Sequence, residues 1–371
     1  MPKVKLHTIM RLQGKNTSRE EEPKARFLPV LSLEIAPYPP PEGIGMEKRS
    51  GRVAAEICGA VVGAGFASGK EIASFFSRFG RWSWVGILLA VAVVGAVCLE
   101  VMRRPGVAGM PPEWQGRARG RMWMALFTGL MAATGGAMLA GAGEVAALLL
   151  PVRGAYWLGM GITLLLAWLL TGRELKALPV VSRVLIVCLS AVVVLGATLP
   201  RQEATPLRRV GWTELPAGML CGACYGGFNV ALACPAAAEG GRGLTEGQRR
   251  RCAGTVCLML GLLLCCGNLV LLRSPGLQGE ALPFIRMLAP AGKAGYYLCG
   301  AALYLAALTT LAAALRGLRA LLGRKYPAGA AALAVLSLGG LERLVARVYP
   351  LLGAGCLMLL ALAMWQNRTK P

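Results

Sequence analysis

Apolar runs of about 20 residues recur along the chain from Gly51 to Trp365, and a run of that length crosses the hydrocarbon core of a bilayer as a helix. No other feature constrains the fold as strongly. The charge content agrees: 16% of residues are charged and the mean hydropathy is +0.56, whereas a soluble domain carries about 25% charge. The expectation is an all-α integral membrane protein whose first partner is the lipid bilayer.

Ten spans can be read, at 52–79, 82–102, 122–150, 155–171, 181–199, 214–239, 252–272, 294–322, 328–338 and 345–365. Pro151 ends the third. Between the seventh and eighth, EALPFIRMLAPAG is too short and too broken by proline to cross, and reads as a surface or re-entrant helix. Residues 1–45 are polar and proline-rich, without the apolar core of roughly 7–15 residues that marks a signal peptide. They read as a disordered leader, or as a mis-assigned start ahead of Met46, which opens the basic flank MEKRSGR.

The net charge of +22 does not point to nucleic acid. The basic residues sit in short loops, where they set topology, and no aromatic–basic interleaving of the strand-binding kind is present. With the N-terminus inside, the inner loops hold roughly twice the Lys and Arg of the outer ones, led by RRPG…RARGR and QRRR. Both termini are therefore expected in the cytoplasm. The twelve cysteines lie almost all in apolar runs, where they behave as small hydrophobic residues. Cys221-x-x-Cys224 lies in apolar MLCGACYGG, far from the single histidine His7, so a metal or redox reading is set aside.

The first span contains ICGAVVGAGFASGKEI, with Gly63, Gly65 and Gly69 leading into Lys70 and Glu71. Glycine costs about 1 kcal/mol relative to alanine in a helix, and unpaired backbone in lipid costs several kcal/mol per group. A break here persists only if protein or a wet cavity surrounds it. Its freed N–H groups, at Gly63, Ala64 and Gly65, would attract a carboxylate, and its freed carbonyls a cation. Five spans later the sixth carries Tyr225-Gly226-Gly227-Phe228-Asn229, read as a second break, with an aromatic wall and one amide suited to a small amphipathic ligand. Five is odd, so the halves 46–200 and 210–371 run inverted. Paired interrupted helices at matching positions point to a transporter site at the midplane. The glycines of span three, Gly129, Gly135, Gly136, Gly141 and Gly143, read instead as helix-packing positions.

VGAGFASGKEI followed by SFFSRFG, with RVYPLLG at the last span, resembles the YkvI-like family of bacterial membrane proteins, related to the amino acid–polyamine–cation transporter superfamily. The resemblance runs from Met46 onward. It implies the LeuT-type fold, ten helices as a five-plus-five inverted repeat with helices 1 and 6 broken, in the bacterial cytoplasmic membrane. Sodium-coupled members of that fold hold an ion between span 1 and span 8. The matching patterns here are Gly59-Ala-Val-Val62-Gly63-Ala-Gly65 and Ala306-Ala-Leu-Thr309-Thr310. By that similarity sodium would bind Gly59, Val62, Ala306, Thr309 and Thr310.

Ionisable groups at membrane depth are functional candidates by default. Glu144 in span three could pair with a substrate ammonium, carry a proton, pair with Lys70, or reach water at the outer interface. Lys70 and Glu71 could gate the outer path as a pair, or Glu71 could cap a half-helix. Glu56 could pair with an inner-loop arginine as a cytoplasmic gate.

Enzymatic chemistry lacks parts: no histidine lies in the membrane region for a nucleophile–base pair, and no GxxxxGK[ST] loop is present. The functional expectation is a secondary active transporter of a small zwitterionic solute, an amino acid, driven by sodium, with no cofactor beyond the coupling ion. Spans 1, 2, 6 and 7 would rock against the others, as the fold implies. The alternatives are a ligand-sensing receptor of the same fold, like germinant-receptor subunits, and proton coupling through Glu144.

Overall fold

The first apolar run folds as three short helices. α1 (Met46–Val61) stops at Val62 and Gly63, α2 (Ala64–Ala67) makes one turn, and α3 (Lys70–Phe75) restarts after Gly69. Gly69 holds φ at 82°, a left-handed conformation that only glycine adopts readily. A side chain there would also meet the Phe284 ring at 3.0 Å. The computed structural model describes residues 46–104, 117–171, 191, 211–288 and 292–369.

After a 3-10 turn (Ser77–Trp82) come α4 (Ser83–Arg103), α5 (Ala118–Leu149) and α6 (Ala155–Thr171). The second half holds α7 (Leu215–Gly240), α8 (Glu246–Arg273), the short α9 (Pro283–Leu288) and α10 (Lys293–Leu322). It closes with α11 (Tyr326–Ser337), α12 (Gly340–Arg343), a π turn (Leu344–Val348) and α13 (Tyr349–Thr369). α8 opens on a capping box: Thr245 and Gln248 bond each other's backbone N–H, relieving two orphan donors. The expected span at 181–199 lies outside the described residues.

Among the described residues six helices are long and apolar enough to cross a membrane, within Ser77–Arg103, Ala118–Leu149, Trp212–Gly240, Glu246–Arg273, Gly295–Arg319 and Gly340–Ala363. Leu88, Leu158, Leu298, Leu351 and Trp157 are each more than half exposed on helix surfaces. Apolar surface on this scale suits lipid rather than water.

The helices pack as two groups. In one, α1 lies against α7 and α8, and α4 against the same two. In the other, α5 lies against α6, α10 and α11, and α6 against α10. α13 touches both, through α7 and α5. The broken segment lies at the seam: α2 contacts α5 and α10, while α3 contacts α7, α8 and the π turn.

The sixth span is not broken. α7 is one continuous helix through Tyr225-Gly226-Gly227-Phe228-Asn229, which corrects the expectation of matched breaks. Its glycines serve close packing. A Cβ on Gly222 would lie 2.7 Å from the Gly86 backbone of α4, and one on Gly226 2.9 Å from Val93 and 3.1 Å from the Ala90 carbonyl. Gly227 faces α13, where its Cβ would overlap the Gly353 carbonyl and lie 3.0 Å from Leu357. Helices brought backbone to backbone recover in dispersion what glycine loses in propensity. The span-three glycines behave alike: Gly136 faces Leu333 and Ser337 of α11, and Gly143 faces Tyr156 and Met160 of α6.

Candidate functional site

At the break the Gly63 amide, which an unbroken helix would point at Gly59, donates to the Val61 carbonyl at 3.0 Å. The Gly59 carbonyl thereby loses its helical donor. Gly63 accepts from Ala67 at 2.9 Å, so α2 is a single turn hung on the break. Ser68 fixes the second corner. Its hydroxyl donates to Gly65 O at 2.8 Å and accepts from Lys70 N at 3.1 Å. Its carbonyl accepts from Phe284 N at 3.1 Å. The segment around α9 is packed into the protein: Phe284, Ile285, Met287 and Leu288 are buried.

α10 brings the threonine pair to this corner. A Cβ on Gly63 would stand 3.7 Å from the Thr310 hydroxyl, so Gly63 and Thr310 are neighbours across the seam. The Thr309 hydroxyl donates to Ala306 O at 3.0 Å, the back-bond that threonine commonly makes in a helix. Its oxygen lone pairs remain available. Beside them a cavity of about 10 Å³, lined by Gly65, Ser68, Ala137, Met138, Gly141 and Ala307 among others, has room for one water. That is far below the ~300 Å³ of a small-molecule pocket.

Lys70 does not pair with Glu71 or Glu144. Only 3% exposed, it donates to the Glu280 carbonyl at 3.0 Å, the Gly279 carbonyl at 3.4 Å and the Glu342 carboxylate at 3.2 Å. It clamps α3 to the segment before α9 and to α12. Lys70→Met is expected to lower stability by about 2 kcal/mol, because two carbonyls lose a charged donor. Glu342→Gln should cost under about 1 kcal/mol, since that carboxylate faces solvent. Thermal midpoints of the two variants in one detergent test the ranking.

Glu144 is half-buried, close to Tyr156 and Glu342. Glu56 pairs with Arg52 of its own helix at 3.2 Å, not with an inner loop. The loop contact at that end belongs to Arg49, which donates to the Arg242 carbonyl at 3.1 Å. Glu71 is in the first turn of α3, and its Oε2 has no hydrogen-bond partner. It is buried, its carboxylate filling the space before Gly65 where a Cβ would overlap it.

Of the residues expected to enclose a ligand, Tyr225, Gly226, Gly227, Phe228 and Asn229 are all buried. Tyr225 sits edge-on between Phe75 and Phe76, with ring centroids at 5.2 and 4.9 Å. Phe228 stacks on Tyr349 at 4.0 Å. The Asn229 amide donates to the Tyr225 carbonyl at 3.0 Å. Sequence reasoning missed Tyr349 and Thr134, which join this region from α13 and α5. It also missed Asn268 of α8, which accepts from the Ser77 hydroxyl and donates to the Ser83 hydroxyl, both at 2.8 Å. Polar residues inside apolar runs were the available signal. Asn268→Leu is expected to cost about 1–3 kcal/mol by leaving two buried hydroxyls short of a partner, read as a lower midpoint of thermal unfolding.

No family model matches this chain, and no curated protein does. Among solved structures, a manganese transporter of Eremococcus coleocola, determined in complex with an aromatic bis-isothiourea substituted compound, is similar at a TM-score of 0.44 and 17% identity. The match covers 86% of this chain and 77% of that one. At this level of similarity the functional argument rests on the residues of this chain.

Proposed function

We propose that this protein is a secondary active transporter of a small zwitterionic solute, an amino acid, coupled to sodium and working by alternating access. The carrying observation is the position of the first-span break. It lies where two helix groups meet, with α2 on one group and α3 on the other. α1, α4, α7 and α8 are spans 1, 2, 6 and 7, the group expected to rock. A non-helical joint at such a seam absorbs relative motion with little change inside either group.

In this reading the N–H groups of Ala64 and Gly65 receive the substrate carboxylate. Sodium binds among the Gly59 and Val62 carbonyls, the Ala306 carbonyl, and the Thr309 and Thr310 hydroxyls. The freed Gly59 carbonyl and the approach of Thr310 to Gly63 support that set. The cavity at the break has room for about one water, so substrate entry requires the two groups to part. Tyr225, Phe228 and Asn229 would join the substrate path only after that movement. The YkvI-like resemblance, the five-plus-five inverted repeat and cytoplasmic termini belong to the same proposal.

The test is a thermal-stability screen of the purified protein against amino acids, in sodium or in choline. A ligand of the folded state stabilises by about 2.7 kcal/mol at a hundred times its Kd. The expected result is a shift with one class of amino acid that grows in sodium. A shift that is equal in choline removes the sodium coupling, and none with any amino acid removes the substrate class.

A further inference from the structure

Five polar side chains from four helices meet behind the break. Glu71 of α3 lies next to Tyr225 of α7, which in turn neighbours Asn229 one turn on. On its other side Glu71 lies near Tyr349 of α13, which neighbours Thr134 of α5. All five are buried, Glu71 at 4% exposure. Each holds a buried polar atom without a hydrogen-bond partner: Glu71 Oε2, the Tyr225 and Tyr349 hydroxyls, Asn229 Oδ1 and Thr134 Oγ1.

No lysine, arginine or histidine among the described residues forms an ion pair with Glu71. The charged groups on the elements around it are committed elsewhere. Lys70 is held by Glu342 and two carbonyls. Arg78 and Arg81 of the 3-10 turn are exposed and lie over Phe79 and Trp82. Arg347 of the π turn is exposed, and Glu280 before α9 pairs with Arg286 at 3.6 Å. α2 carries no titratable side chain. α8 meets α3 near Ile72 through Gly267, with Asn268 bonded to Ser77 and Ser83, and its Arg273 stands at the far end of the helix. Among the described residues, the titratable groups that face Glu71 are thus Tyr225 and Tyr349.

A lone carboxylate in such a place is neutralised rather than left charged. Donor counting says how. With Glu71 ionised, the Tyr225 hydroxyl has one proton to offer and two acceptors, the carboxylate and Asn229 Oδ1. A proton on Glu71 supplies the second donor, so a carboxyl–Tyr225–Asn229 chain needs only a small approach of side chains that make no such hydrogen bond in this structure. A proton needs no room, and Glu71 Oε1 already fills the space before Gly65.

We propose that Glu71 is a proton-binding site within the membrane. Its carboxyl holds a proton while the cluster is closed. When the seam parts and water enters, the O–H bond breaks and the proton passes to water, leaving the carboxylate solvated. The site is separate from the sodium ligands and does not depend on the identity of the transported solute.

Infrared difference spectroscopy of the purified protein at neutral pH tests this directly. The expected result is a carbonyl band of a protonated carboxylic acid that shifts in D2O, is absent in Glu71→Gln and is kept in Glu144→Gln. Wild-type protein without the band, or Glu71→Gln with it, overturns the proposal. If Glu71→Gln does not fold, Tyr225→Phe decides: the band must shift in frequency when its neighbouring hydroxyl is removed, and an unchanged band overturns the assignment. Saturating sodium at constant pH should leave the band intact. Its loss would make the occupant a metal cation and overturn the proton.

Discussion

Replacing Gly222 by alanine is expected to destabilise the folded protein by about 1–3 kcal/mol or more, because the new methyl group would run into the backbone of a neighbouring helix. The added carbon would overlap the Gly86 carbonyl oxygen and stand 2.7 Å from its carbonyl carbon and Cα. A backbone cannot rotate away as a flexible side chain can, so α4 and α7 would have to separate along their contact. The loss would spread, because Gly86 itself lies under Gly218, whose carbonyl is 2.9 Å from where a Gly86 Cβ would be. Gly254 provides the control. It lies in α8 with nothing within 4 Å of its Cβ position, so Gly254→Ala should be neutral or stabilising by up to about 1 kcal/mol. Thermal unfolding midpoints of the two variants, measured in one detergent, should move in opposite directions or differ widely. Equal midpoints would mean that the α4–α7 contact is looser than its geometry implies.

On the proposed sodium site, Thr310→Val is expected to weaken stabilisation by sodium tenfold or more, which is about 1.4 kcal/mol. Valine keeps the shape of threonine and removes the one hydroxyl that faces Gly63 across the seam. The fold should survive, since Thr310 is only partly buried. Thr309→Val together with Thr310→Val should abolish the sodium effect. The readout is the midpoint of thermal unfolding against sodium concentration, with choline holding ionic strength constant. An unchanged sodium response in the double variant would remove Gly59, Val62, Ala306, Thr309 and Thr310 as an ion site.

Much of the helical layout was legible in the chain because lipid enforces it. Span 155–171 is helix α6, and the span read at 294–322 is α10 beginning at Lys293. The first break was legible too, since Gly63, Gly65 and Gly69 crowd into seven residues beside two charges. The same reasoning failed at Gly226–Gly227. Glycine is equally suited to ending a helix and to letting another helix touch it, and the composition of one helix does not say which. The partners decide: Val93 and Ala90 on α4 and Gly353 on α13 close over α7 and hold it straight.

Charges divided along the same line. Their burial could be anticipated from the apolar context of Lys70, Glu71 and Glu144, but their pairing could not. Lys70 reaches Glu342, far along the chain, and Glu71 meets tyrosines from α7 and α13. By itself the sequence determined that the chain is helical, where most helices start and stop, and that the first must come apart, because each follows from local hydrogen bonding and lipid solvation. Only the tertiary structure decided that the second glycine cluster is a contact, that Lys70 is a clamp and that Glu71 has no counter-charge among the described residues. Those outcomes depend on which distant side chains arrive in the same few ångströms, and no local pattern encodes that.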